Sequence, residues 1–460
     1  MPKKSRWKHA VLLAGWVQLA ADAQGIDAAD RRPGIELKLA ETLASRVRPA
    51  IENEPARPAP ASRKRRKTEL SLTSQLSAWS GTRRLDGAEA VAVPRLSAEL
   101  SAPLASGFQF TAHADAAREQ ADEAAASRTK LTLREAWLGY REGPASVRLG
   151  WQVVNWGRTD VVNPTDNVAA RDYTRLVDLD ADQKLGAAML NLNWRLGDSS
   201  LQAIWQPLFR ATTVPLPAVA GVRYVEDAPD WVPGSGGLRL DTVGERLSWS
   251  LSYFRGPAKR PNLAISLADL GLGRIRLDHR NVSIVGADAE LIAGPWVFRS
   301  ETAYSAFKGS GSDPFASRES TIESVLGVER AYGEASAFVQ GSLRRVFDWI
   351  DPRALAEPLR TLAIGNASVN EELYRTQFTI GGGAALNTAD LRWSASFDAG
   401  WLPAHGDVVV RPRIRYRWSD RLTLWGGADY FAGPERGLYG RLADNTAVFL
   451  GLSSTTSLRR

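Results

Sequence analysis

Residues 406–418 read Gly-Asp-Val-Val-Val-Arg-Pro-Arg-Ile-Arg-Tyr-Arg-Trp and alternate almost without fault. In an extended chain, Val408, Val410, Pro412, Ile414, Tyr416 and Trp418 fall on one face, and Arg411, Arg413, Arg415 and Arg417 on the other. Successive side chains of a strand point to opposite faces, so the segment is apolar on one side and fourfold cationic on the other. A water-soluble sandwich has to turn the apolar face into its core. A membrane barrel turns that face to lipid and gives the arginines a wet lumen.

The rest of the chain decides between the two. Leu247, Trp249, Leu251 and Tyr253 oppose Arg246, Ser248, Ser250 and Ser252; Trp393, Ala395, Phe397, Ala399 and Trp401 oppose Arg392, Ser394, Ser396 and Asp398. Similar alternation runs through 186–195 and 334–344. Charges of both signs sit at mid-strand, which a dry core does not tolerate unpaired and a hydrated lumen does. With 460 residues the chain suffices for one large barrel or for two to three ordinary domains. It has no cysteine, which excludes disulfide scaffolds, thiolate metal sites and cysteine nucleophiles. The net charge of +7 lies largely in the N-terminal leader and one basic run, so no nucleic-acid partner is expected.

The N-terminus carries an address. Lys3, Lys4, Arg6 and Lys8 precede a short apolar run from Ala10 to Ala21, and Ala21-Asp22-Ala23 offers small residues for cleavage. That three-part pattern predicts a signal peptide over 1–23. Residues 24–67 read as a periplasmic extension, broken by Pro49, Pro55, Pro58 and Pro60 and closed by the basic run 63–67. From residue 68 to 460 the fold class is all-β, a transmembrane antiparallel β-barrel. Trp137, Tyr140, Trp151, Trp194, Trp205, Trp296, Trp401, Tyr416 and Trp418 lie near segment ends, as two interfacial aromatic girdles require. Short links (101–107, 142–145, 197–199, 292–295, 332–334, 387–390, 419–420) alternate with long ones (116–128, 154–183, 211–243, 308–318, 347–371, 432–443). Parity gives about 18 strands if 263–268 forms one weak strand and 274–290 contains the next; 16 stays open because 256–280 is irregular.

The long segment 154–183 is the most distinctive. Its Trp156, Arg158, Asp160, Asn163 and Asp166 suit an ordered turn that folds inward and bonds to lumen side chains. Leu133 to Ala136, Arg148-Leu149-Gly150, Trp156-Gly157 and Asp160-Val161-Val162-Asn163-Pro164 form one block; Gly286-Ala287-Asp288 followed by Gly294-Pro295-Trp296-Val297-Phe298-Arg299-Ser300-Glu301-Thr302-Ala303 forms another. On these blocks the chain resembles the large proteobacterial outer-membrane barrels grouped only as a domain of unknown function. The resemblance covers roughly residues 70–455. It implies a Gram-negative outer-membrane location and a porin-like role with no established substrate. Alginate-exporting barrels are a similar architecture, an analogy that does not fix the cargo.

Catalytic readings find no support. His113, His279 and His405 stand apart with no ligand spacing, so no metal or cofactor and no enzymatic activity are expected. The functional expectation is a channel or exporter for polar or anionic solutes or polymers. Its lumen candidates are Arg411, Arg413, Arg415 and Arg417, extended by Arg344, Arg375 and Arg392. The competing reading of these arginines is that they pair with carboxylates and brace a plugged barrel. The competing function is a non-transporting surface barrel, an adhesin, a receptor or the outer-membrane component of a periplasm-spanning complex. Expected partners are outer-membrane lipid and lipopolysaccharide, the barrel-assembly machinery, and a periplasmic protein reached through residues 24–67.

Overall fold

The computed structural model describes residues 67–83, 90–104, 106–121, 128–216, 221–264, 269, 271–308, 319–357, 359–435 and 437–460. The expected signal peptide and nearly all of the expected extension lie outside the described residues. Eighteen strands form one antiparallel sheet. They are Glu69–Trp79, Val91–Pro103, Phe108–Ala121, Arg128–Glu142, Ala145–Gln152, Ala187–Leu196, Ser199–Trp205, Gly236–Val243 and Leu247–Pro257, then Asn281–Ala293, Trp296–Phe307, Thr321–Tyr332, Ala335–Val346, Thr376–Asn387, Trp393–Leu402, Asp407–Arg417, Leu422–Ala432 and Ala447–Arg459. The last strand pairs with the first in register from Glu69 opposite Arg459 to Trp79 opposite Phe449, so the sheet closes and leaves no edge.

The wall is inside-out relative to a soluble protein. Along 247–257, Leu251 is 53% exposed while its neighbour Ser250 is 1% exposed. The same inversion places Leu149, Leu326, Val339, Ile414 and Leu450 outside, and Asn191, Gln202, Asp288, Glu301 and Gln340 inside. A closed sheet that satisfies its own backbone and exposes an apolar band is stable only in a bilayer, and the protein is an outer-membrane β-barrel. Trp194, Trp296, Tyr332, Trp393 and Trp418 are exposed near the short turns, and Tyr304, Trp205, Trp401 and Tyr430 near the other rim. These are the two girdles. Trp137 is not part of either: it is 7% exposed and packs inside under the Arg148 guanidinium, because the outward position next to it belongs to Leu138.

One rim carries the termini and turns of two to five residues, ending with 388–392 and 418–421; the other carries the long loops. By the outer-membrane rule the first rim is periplasmic. The count of eighteen is met, but by a different strand from the one expected. Residues 236–243 form a wall strand that hairpins through 244–246 into 247–257, so the loop before it ends at 235. Asn262–Ala264 instead joins Arg274–Asp278 and Arg223–Asp227 in a small three-stranded sheet outside the wall. Residues 265–268 of the expected strand lie outside the described residues, and its described part pairs with Arg274–Asp278 in place of a wall strand. The four-residue turn 403–406, on the long-loop rim, was also not foreseen.

Candidate functional site

The segment 153–186, between the wall strands 145–152 and 187–196, enters the barrel instead of standing above it. Its first limb docks on the wall formed by strands 236–257, 281–307 and 335–346. Trp156 is 2% exposed, donates its indole N–H to Gln202 Oε1 at 2.8 Å, and packs in an apolar cluster with Val154, Val168, Met189, Phe254 and Ile284. Glu301 accepts five hydrogen bonds from this limb: the backbone N–H of Arg158 (3.0 Å), Thr159 (3.3 Å) and Thr165 (2.7 Å), and the hydroxyls of Thr159 (2.9 Å) and Thr165 (2.8 Å). Arg158 reaches Asp288 at 2.6 Å and Asp241 at 2.5 Å. Asp160 pairs with Arg299 at 3.0 Å, and the backbone N–H groups of Asp160 and Val161 donate to Gln340 Oε1.

Glycines make the fit. Gly157 has φ +88°, and a Cβ there would lie 2.0 Å from Asn163 Oδ1, so Asn163 closes the turn directly on the glycine. A Cβ on Gly286 would lie 2.6 Å from Thr165 Cγ2, so the wall is notched where the loop presses against it. Asp166 then ties the limb's end to the return limb through Arg171 and Lys184, both at 2.8 Å. Burial opposes ionisation of Asp166, but these two cations outweigh it and hold its carboxyl below the usual range.

The return limb docks on the opposite side of the barrel. Asp172 pairs with Lys130, Asp182 with Arg134 at 2.7 Å, and Asp178 with Arg415. Arg175 meets Asp115 at 2.7 Å in a buried pair. Leu176 packs among Trp79, Val91, Val93, Trp425 and Phe449, and its carbonyl accepts from Arg95 at 2.9 Å. Strand 296–307 and strand 69–79 lie about half the circumference apart in the ring, so the loop crosses the lumen. The two sequence blocks on which the resemblance rested thus meet: the turn 156–166 sits on Asp288, Arg299 and Glu301.

The arginine candidates fall into three groups. Arg413 bonds Asp429 at 2.5 Å and the Asp178 carbonyl at 3.1 Å; Arg415 pairs with Asp178; Arg411 lies 3.9 Å from Asp429. Arg417, toward the turn, donates to the Asp390 carbonyl at 3.4 Å. Three rungs of the ladder therefore face carboxylates, and two of them hold the loop. Arg344 also braces: it pairs with Glu371 at 3.0 Å and bonds the Asn370 carbonyl at 3.2 Å. Arg375 is exposed at the loop end of strand 376–387. Arg392 is not on the lumen wall at all; it sits in the turn 388–392, 3.8 Å from Asp390, because that turn delays the strand to Trp393.

A second loop, 347–375, carries the helix Leu359–Val369, whose Asn366 donates to Asn262 at 2.9 Å and accepts from the Leu263 N–H at 2.9 Å. Glu371 follows it with φ +59° and bridges Arg344 to Arg260, the latter at 2.6 Å. Nearby, Lys259 is buried over Phe209 and Phe254 with Gln206 Oε1 at 2.6 Å, and burial pulls its ammonium down to about 7.

Glu301, Asp288, Gln340 and Asp429 do as much as any residue singled out from sequence. Asp288 and Glu301 were visible only as members of a motif. Their signal was a pair of acidic residues at inward positions of one hairpin, Asp288 directly opposite Glu301, which a reading centred on arginine overlooked.

Residues 99–306 match the family model described as "Protein of unknown function (DUF1302)", which spans both blocks and bears out the resemblance. No curated protein matches the chain. Among solved structures it is similar to the outer membrane protein opdK from Pseudomonas aeruginosa, at 9% identity and TM-score 0.50, covering 85% of this chain and 99% of that one. It is likewise similar to OccAB4 of Acinetobacter baumannii, at 10% identity and TM-score 0.51, covering 86% and 99%. At such identities the likeness is one of fold.

Proposed function

We propose that the barrel is a porin-like channel for small polar solutes, with anions favoured, whose passage is narrowed by the loop 153–186. The observation that carries this reading is the loop itself. It crosses the lumen on polar tethers to both walls, so the barrel interior is neither an open pipe nor a dry core. An 18-strand wall is wide enough for an aqueous channel, and an inward loop reduces that width to molecular size. Long polymers are disfavoured as cargo for the same reason. Anion preference rests on the solvated faces of two wall cations beside the loop, Lys130 at 48% and Arg415 at 38% side-chain exposure, each of which also holds a loop aspartate. It does not rest on an unpaired ladder, since Arg411, Arg413 and Arg415 have acidic neighbours. Insertion would use the barrel-assembly machinery, with lipid and lipopolysaccharide around the apolar band. The test is single-channel recording of the refolded protein under a salt gradient, with liposome swelling in solutes of graded size. Small conductance and passage of small solutes are expected; silence from a correctly folded barrel would sink the proposal.

A further inference from the structure

We propose that the return limb's outer aspartates are tethered stand-ins for the acidic group of the solute, and that a small carboxylate opens the channel by displacing them. This rests on the channel reading above. Asp172, Asp178 and Asp182 lie along one limb, and each carboxylate meets a cation of the wall: Lys130, Arg415 and Arg134 respectively. Lys130 and Arg134 belong to strand 128–142, and Arg415 to strand 407–417.

The first limb and the middle of the return limb are held by buried contacts, the latter by Arg175–Asp115 at 6% and 4% exposure, and only the outer part of the return limb is held by more open ones. The first is fastened by backbone amides on Glu301, itself 1% exposed, and by the buried Trp156 indole. Its ion pair Arg158–Asp288 has side-chain exposures of 12% and 0%, so water and solutes reach it poorly. On the return limb the cationic partners of Asp172 and Asp178 stay open to the lumen, as the exposures of Lys130 and Arg415 given above describe. Ion pairs with one solvated member are worth little and exchange with free ions. A guanidinium also presents five donors in a fork suited to a carboxylate. A dissolved carboxylate arriving at Arg415 therefore competes directly with Asp178, whereas Asp172, fully buried and bonded also by Thr174, stays as the inner anchor, and nothing comparable competes with Glu301. Leu176, buried among Trp79, Val93 and Phe449, acts as the pivot between that anchor and the outer contacts. Displacement would swing 178–183 off the wall while 156–166 stays docked.

The test is planar-bilayer conductance of the full barrel with succinate as the probe, titrated against chloride at matched ionic strength. Succinate at millimolar concentration is expected to raise conductance at least twofold where chloride does not. In Asp178→Asn combined with Asp182→Asn, conductance should be high without succinate, anion-to-cation permeability should rise at least twofold, and the succinate response should vanish. An equal response to chloride would mean simple charge screening and would overturn the proposal. So would a double variant that conducts more with no change in selectivity, the mark of a purely structural clip. If the double variant does not fold, the succinate titration of the unaltered protein still decides. Silence of the protein and its variants in every condition would instead take down the channel reading, and this inference with it.

Discussion

Replacing Glu301 by alanine removes the acceptor of five hydrogen bonds in a single step. Two of them come from threonine hydroxyls, and Thr159 Oγ1 already has the Val162 carbonyl at 2.5 Å as a second partner. The other three come from the backbone N–H groups of Arg158, Thr159 and Thr165, which have no such freedom. A buried donor left without a partner costs about 1–3 kcal/mol. With some water entering the cavity left by the side chain, three of them set the loss at about 3–6 kcal/mol of local docking free energy. At 1.4 kcal/mol per factor of ten, that is a drop of about 10²–10⁴ in the equilibrium favouring the docked limb. Glu301 lies on a wall strand whose outward neighbours are unchanged, so the barrel should still assemble. The assay is hydrogen exchange on the detergent-folded protein, read at residues 156–166 and, as an internal reference, along strand 321–332. Protection of the loop amides should fall by that factor while the strand stays protected. Glu301→Gln, which keeps one acceptor oxygen, should fall between. Loop protection in Glu301→Ala within about threefold of the unaltered protein would refute the reasoning, because the limb would then be held by the Trp156 cluster and the contacts to Asp288, Arg299 and Gln340 without Glu301.

Other outcomes follow from the same geometry. Gly157→Ala should undock the first limb, since its Cβ would lie 2.0 Å from Asn163 Oδ1 at a φ of +88°, and larger, noisier conductance is the readout. Asp429→Asn removes the carboxylate shared by Arg83 (2.7 Å) and Arg413 (2.5 Å), and should raise anion selectivity measured by reversal potential. On the lipid face, Leu251→Arg should cost about 2–4 kcal/mol in a folding titration into vesicles if it lies near the midplane, whereas Ser252→Ala, inside and bonded to the Gly286 carbonyl at 3.5 Å, should cost far less. Lys259, held near 7 when folded and 10.5 when free, binds fewer protons in the native state between those values. Stability should therefore rise with pH from 7 to about 10 by at most about 1.4 kcal/mol per unit, and be flat below 7, a dependence that Lys259→Met should abolish in thermal melts.

The wall was legible because its code has period two and is inverted. Leu247 to Tyr253 against Ser248 to Ser252 can be read one residue at a time, and a membrane barrel repeats that code in every strand. The strand count followed from turn spacing, and the misplaced strand shows the limit of the method. Gly236 to Val243 carries Arg239 and Asp241 on its inner face and follows a stretch rich in proline and glycine, so it read as loop. Leu263 to Ala268 looked apolar enough for wall. Arg392 was misplaced for a local reason, since the turn that Leu391 closes at φ +55° keeps it off the strand. The site was legible in half. Trp156, Arg158, Asp160, Asn163 and Asp166 could be named because an ordered polar turn announces itself in sequence. Their partners could not, because Glu301, Asp288 and Gln340 lie more than a hundred residues away and only closure of the barrel brings them near. Pairing of Arg415 was hidden for the same reason, as Asp178 comes from the distant inward loop, whereas Asp429, on the next strand of the same hairpin, was within reach of the sequence and went unused.

The central claim is that the loop 153–186 lies across the lumen and sets the width of the path. The absence of native cysteine permits a direct test. A Cβ at residue 381 would lie 3.3 Å from Val161 Cβ, slightly under the ~3.5–4.5 Å of a disulfide. The measurement is single-channel conductance of the Val161→Cys, Gly381→Cys protein, oxidised and then reduced in the same bilayer. Efficient cross-linking, with the oxidised protein conducting as little as the reduced and the unaltered one, is the expected result, because the docked limb is already the resting state. Failure of the two cysteines to join in a correctly folded barrel, or a cross-linked form that conducts like an open 18-strand pore, would contradict it.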